Sequence, residues 1–103
     1  MAKHPKVRLS RLREIGWSVW DPIGLLDEGV SWESQTYADE YDSYLVRAAG
    51  MIRRLEPKED VIDYLVSIVI DYMGMPSHPD VRIRAEKVVQ LIAADDQIWN
   101  YNG

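Results

Sequence analysis

Residues 64–72 read YLVSIVIDY, and the architecture turns on whether this run is a strand or a helix. Its β-branched residues fit a pleated strand. The flanks argue for a helix. Asp60 and Asp63 sit where a helix start favours negative charge, and no turn signal interrupts the chain between Pro57 and Gly74. Ile62, Leu65, Val69 and Tyr72 recur at helical spacing, and Val61, Ile68 and Ile70 widen the stripe. The spacing predicts a helix over 58–73, with an apolar face broad enough for the central, most buried element.

On the N-terminal side, Pro57 ends one helix or opens the next. The preceding helix is predicted over 37–55, with Tyr41, Leu45, Ala48, Ile52 and Leu55 on its apolar face. Asp39, Glu40 and Asp42 fall in its first turns and Arg53 and Arg54 in its last, each sign at the favourable end of the dipole. On the C-terminal side, GMPSHP at 74–79 is a turn. Ser77 or His78 precedes the last helix, with Pro79 at its first position. Val81, Ala85, Val88, Ile92 and Trp99 carry that helix to about residue 99, and Leu91 and Ile98 broaden its face.

A first helix over 8–19 shows Leu9, Leu12, Ile15 and Val19 at the same spacing. Gly16 within it weakens the helix or lets a neighbour approach closely. Pro22 disfavours helical geometry at Asp21, so this helix stops near Trp20. Residues 23–36 have no period, yet hold Ile23, Leu25, Leu26 and Trp32. Such groups fold back on the helices in an ordered loop. The sum is one all-α domain spanning 1–103. It is an irregular antiparallel four-helix bundle with a long ordered loop between helices 1 and 2. Residues 1–7 are expected to be flexible and 100–103 frayed, with Tyr101 able to pack.

The absence of cysteine excludes disulfides, thiolate nucleophiles and cysteine-based zinc sites. No apolar run reaches the ~18–20 residues of a membrane span, and no apolar block follows the basic start, so the cytoplasm is expected. The net charge of -5 is unevenly spread. Lys3, Lys6, Arg8, Arg11 and Arg13 form a basic start, read as a solvated segment that balances the acidic stretch after it. From Glu14 to Asp42 there are only acids: Glu14, Asp21, Asp27, Glu28, Glu33, Asp39, Glu40 and Asp42. That segment repels phosphates and attracts a basic protein.

The stretch WDPIG at 20–24 is a built turn. Trp20 is a large anchor, Asp21 suits an Asx-type turn, Pro22 fixes one dihedral and Gly24 permits an unusual one. The neighbouring sequence gives Asp21 no histidine or lysine to work with in catalysis. Elsewhere there is no Glu-x-x-His pair, no phosphate-binding Gly-Lys-Ser/Thr loop and no Gly-x-Ser-x-Gly elbow. His4 and His78 alone do not make a conventional zinc site. No metal, cofactor or catalytic residue is assigned, and the chain is read as a non-enzyme.

WDPIG followed by YADEYDSYL at 37–45 resembles a family of small bacterial helical proteins. In that family a WDP-hydrophobic-G turn precedes a D-E-Y segment that opens the next helix. Some members resemble immunity proteins encoded beside toxins, including those of contact-dependent growth inhibition systems. The resemblance rests on Trp20, Asp21, Pro22, Ile23 and Gly24, then Asp39, Glu40 and Tyr41. It implies an immunity protein that binds and neutralises a cognate toxin domain, such as a basic nuclease. Asp27, Glu28, Glu33, Asp39, Glu40 and Asp42 would meet its lysines and arginines, and Trp32, Tyr37 and Tyr44 would fill apolar spaces between them. Against this stands a solvated helix start, with Trp32 an anchor within the chain. The alternative function is a non-catalytic regulatory or structural module, homodimeric through the broad third helix.

Overall fold

The computed structural model describes residues 7–22, 24 and 31–99, without the side chains of Gln97 and Trp99. Within them every regular element is helical, and the chain is an all-α, four-helix bundle with a long connection between its first and second helices. Ile23, Leu25, Leu26 and Tyr101, together with the ends 1–6 and 100–103, lie outside the described residues.

Helix α1, Leu9–Ile15, continues into a π turn at Gly16–Trp20 and stops at Asp21, as Pro22 predicts. The π turn closes with the Asp21 N–H donating to the Gly16 carbonyl at 2.8 Å. Its wider spacing carries both Trp17 and Trp20 into the interior, where they bury together with Leu12 and Ile15. A side chain at Gly16 would place its Cβ 2.7 Å from Leu45 Cδ1. The close approach anticipated for this glycine is therefore the α1–α2 contact. Val7, within the segment expected to be flexible, packs against the core.

Helix α2 is Asp42–Arg53, shorter at its start than predicted. A helix from residue 37 would give the Ala38 carbonyl to the Asp42 N–H. That carbonyl instead accepts the Trp17 indole N–H at 3.0 Å, and the Asp42 N–H turns to Asp39 at 3.1 Å. Residues 36–41 therefore run as successive turns. Tyr41, Leu45 and Ala48 are buried as expected, joined by Ala49. Leu55, assigned to the same face, is instead 89% exposed. It lies beyond the helix end in a left-handed conformation, φ 62°. The Leu55 and Glu56 N–H groups return to the Ile52 and Met51 carbonyls, forming a Schellman cap.

Residues 64–72 are helical. Helix α3, Lys58–Ser67, passes into a second π turn at Ile68–Tyr72. At the junction the Ser67 hydroxyl donates to the Tyr64 carbonyl at 2.7 Å, a bond that competes with the helical ladder. Val61, Ile62, Leu65 and Val69 are buried, but Tyr72 is 73% exposed. The wider π spacing rotates Tyr72 off the stripe that ordinary helical spacing assigns to it.

Helix α4, Pro79–Ala94, starts as predicted, with His78 as its cap: Nδ1 accepts the Asp80 N–H at 3.1 Å. It packs against α1, α2, α3 and the first π turn, so α4 rather than α3 is the central helix. The helix does not run unbroken to residue 99. Asp95 is extended, and a short helix α5, Asp96–Trp99, follows. Arg11 grips the Asp95 carboxylate through Nε at 3.0 Å and Nη2 at 2.8 Å. The break sends Ile98 into the core and hands its carbonyl to the Arg8 N–H.

Candidate partner-binding face

The acidic segment is organised by aromatic packing. Tyr41 is wedged beside both tryptophans, with ring centroids 4.6 Å from Trp17 and 5.4 Å from Trp20. Its hydroxyl donates to Asp21 Oδ1 at 2.7 Å. Asp21 itself has φ 27°, a conformation L-residues rarely adopt, followed by Pro22 and by Gly24 at φ 71°. The Gly24 N–H closes the turn on the Asp21 carbonyl at 3.0 Å. Trp20, Asp21, Pro22 and Gly24 thus form a fixed turn, and Asp21 ties it to the start of α2. The turn holds a shape.

Trp32 opens a 3-10 turn, Trp32–Ser34, capped by the Ser31 hydroxyl. It is half-buried, and its indole N–H donates to Glu14 Oε1 at 3.0 Å. Ser18 donates to the other oxygen at 2.8 Å. These two bonds, Trp32 first, hold the Glu14 carboxyl below its ordinary value of 4.5. Trp32 is therefore anchored within the chain on one side. Tyr37 packs on Trp17 at 5.5 Å, and Tyr44 lies edge-on to Trp20 at 6.4 Å and Tyr72 at 5.9 Å. Burial, then the neighbouring Tyr72, pushes the Tyr44 phenol up. All three aromatics of the predicted face are half-buried.

The carboxylates divide into two groups. Asp42, expected to face outward, is held by the chain itself. Arg13 grips it with Nε at 2.9 Å and Nη2 at 2.6 Å, bracing α1 to α2. That hydrogen-bonded carboxylate pushes the Arg13 guanidinium above its ordinary value. The physical reason is register: Asp42 is the first residue of α2, and Arg13 is in the last turn of the facing helix. Asp39 and Glu40, by contrast, are exposed, and among the described residues neither makes an ion pair. Glu33 is exposed too, its carboxylate accepting, among the described residues, from the Ser31 hydroxyl at 3.2 Å. Asp27 and Glu28 lie outside the described residues.

Glu33, Asp39 and Glu40 are therefore exposed and Trp32, Tyr37 and Tyr44 half-buried, while Asp42 and Glu14 are withdrawn into internal bonds. Sequence reasoning missed the parts played by Trp17, Arg13 and Glu14. Trp17 falls off the α-helical stripe, and only the π turn makes it a core residue. Charge counting lets the basic start balance the acidic segment in general; Arg13 does so at one particular carboxylate.

Among the described residues, no cluster of histidine or carboxylate side chains is arranged to hold a metal ion. None of the described helices is long and apolar enough to cross a membrane. Comparison with protein families, with curated proteins and with solved structures returns no match.

Proposed function

We propose that this chain is a non-catalytic binding protein of the immunity type, which neutralises a cognate toxin domain by covering a basic surface. The observation that carries the reading is the pair of exposed carboxylates on Asp39 and Glu40, which make no ion pair among the described residues and sit on the turns that Trp17 and Tyr41 pin in place. Charges fixed in position lose little freedom on binding, and a like-signed cluster speeds encounter with an opposite surface. Arg11 is engaged by Asp95 and Arg13 by Asp42; the Asp39 charge also acts on Arg13, without an ion pair between them. The half-buried Trp32, Tyr37 and Tyr44 would supply apolar contact of the kind that central interface aromatics provide. The homodimeric alternative has less to draw on, since Val61, Ile62, Leu65 and Val69 are already buried within the chain.

The test is co-expression with the C-terminal domain of a secreted protein encoded beside this chain. Restored growth and a stoichiometric complex are expected. The triple variant Glu33→Lys, Asp39→Lys, Glu40→Lys should slow association by about tenfold or more at low salt, with an unchanged melting temperature. A complex that forms at the same rate with the triple variant would refute the acidic face. Absence of any complex and of any protection would refute the immunity reading.

A further inference from the structure

A cavity of about 320 Å³ lies between the WDPIG turn, the second π turn and the start of α4. Its size falls in the ~300–1,000 Å³ range of small-ligand pockets. Trp20, Val69, Met75 and Val81 give it apolar walls, and Arg84, His78 and Asp80 supply its charged and titratable side chains.

These polar groups are mostly donors. Arg84 is exposed, and among the described residues its guanidinium has no carboxylate partner, whereas Arg11, Arg13 and Arg54 each hold one and Arg82 holds both Glu59 and Asp63. Its hydrogen bond goes to the Trp20 carbonyl at a long 3.5 Å. His78 uses Nδ1 to accept the Asp80 N–H, so its neutral ring carries the proton on Nε2 and presents a donor. The Trp20 indole N–H has no acceptor among the described residues but is itself buried, so the donors within a ligand's reach are those of Arg84 and His78. The single acid, Asp80, stands 3.7 Å from the His78 ring. An apolar cavity lined by donors calls for a ligand with an apolar body and an anionic acceptor.

We propose that this cavity binds a small apolar carboxylate, its aryl or branched acyl body against Trp20, Val69 and Met75 and its carboxylate on Arg84. The occupant is a free acid rather than the C-terminus of a polypeptide. A peptide needs backbone donors beside the pocket, and those at the start of α4 are taken: the Asp80 and Val81 N–H groups both return to His78. This site shares no residue with the acidic face, so either assignment stands or falls alone.

The experiment is a titration of the full chain with phenylacetate and isovalerate, followed by NMR at the Trp20 indole N–H and the Val81 amide. At least one acid should move both signals. The matching neutral amide should bind about tenfold more weakly, the scale of one lost charge-assisted hydrogen-bond pair. Arg84→Gln should weaken the acid by about the same factor while leaving the amide's affinity and the melting temperature unchanged. Signals unmoved by either acid at millimolar concentration would overturn the proposal. So would equal binding of acid and amide, or an Arg84→Gln variant that binds the acid as before. Tighter binding of the tripeptide Gly-Gly-Phe than of phenylacetate would overturn the free-acid assignment.

Discussion

Replacing Leu55 with glycine should stabilise this protein, although it removes a large apolar side chain. Leu55 occupies the position after the end of α2 at φ 62°, in a cap whose two hydrogen bonds are 2.9 and 3.1 Å long. This left-handed conformation costs an L-residue ~1–2 kcal/mol and glycine nothing. Against this, glycine gives the unfolded chain extra freedom, worth ~0.4–1 kcal/mol. The side chain is 89% exposed, so its loss forfeits little burial. The balance is a gain of ~0.5–1 kcal/mol, which at ~4–8 °C per kcal/mol for a domain of this size raises the melting temperature by ~3–6 °C. Leu55→Ala is the control: it keeps the Cβ responsible for the strain and should stay within ~0.5 kcal/mol of the parent. Thermal and urea unfolding of the three proteins, with equal m-values, would measure the difference. A glycine variant no more stable than the alanine variant would show that no strain is stored here.

Two native glycines should respond to alanine with opposite signs. Gly16→Ala forces a Cβ to 2.7 Å from the buried Leu45 Cδ1, so overpacking of ~1–3 kcal/mol should exceed the ~1 kcal/mol gain in helix propensity. At Gly50 the nearest atom to a new Cβ is the end of the Arg54 side chain, 3.4 Å away, and Gly50→Ala should gain ~0.5–1 kcal/mol. Urea midpoints moving in the same direction for both would sink this packing account. Asp42→Ala should cost ~1–2 kcal/mol by stranding the half-buried Arg13, and a double-mutant cycle with Arg13→Ala should return ~1 kcal/mol of coupling; a coupling near zero would mean that the brace is ornamental. Glu14 supplies a pH dependence. Its folded pKa is depressed by Trp32 and Ser18, so its contribution is present above the ordinary value of 4.5 and is lost as pH falls below it. Glu14→Gln should therefore flatten the loss of stability with acid in that window, while leaving the slope above it unchanged; an identical acid limb would refute the assignment.

Much of the scaffold is legible in the chain because helices are specified locally. The stripes in 9–19, 42–53 and 79–92 are periodic, and the punctuation at Pro22, Pro57 and His78-Pro79 acts through backbone sterics that need no distant partner. Two of the misjudged ends share one cause. At Ala38 and Asp95 a side chain far away in sequence, Trp17 and Arg11, takes a backbone or carboxylate group that local propensity assigns elsewhere.

The candidate face divides in the same way. That residues 14–42 carry acids and no base is a fact of the sequence, and so is the signal for a rigid turn at WDPIG. Which of those acids meet solvent is not, because it depends on a neighbouring helix. Arg13 is 29 residues from Asp42 along the chain, yet within hydrogen-bonding distance in the fold. Composition sets the sign of the charge. Packing decided that Asp42 serves the bundle and that Asp39 and Glu40 are left to the outside, since a carboxylate's availability is fixed by what lies across from it.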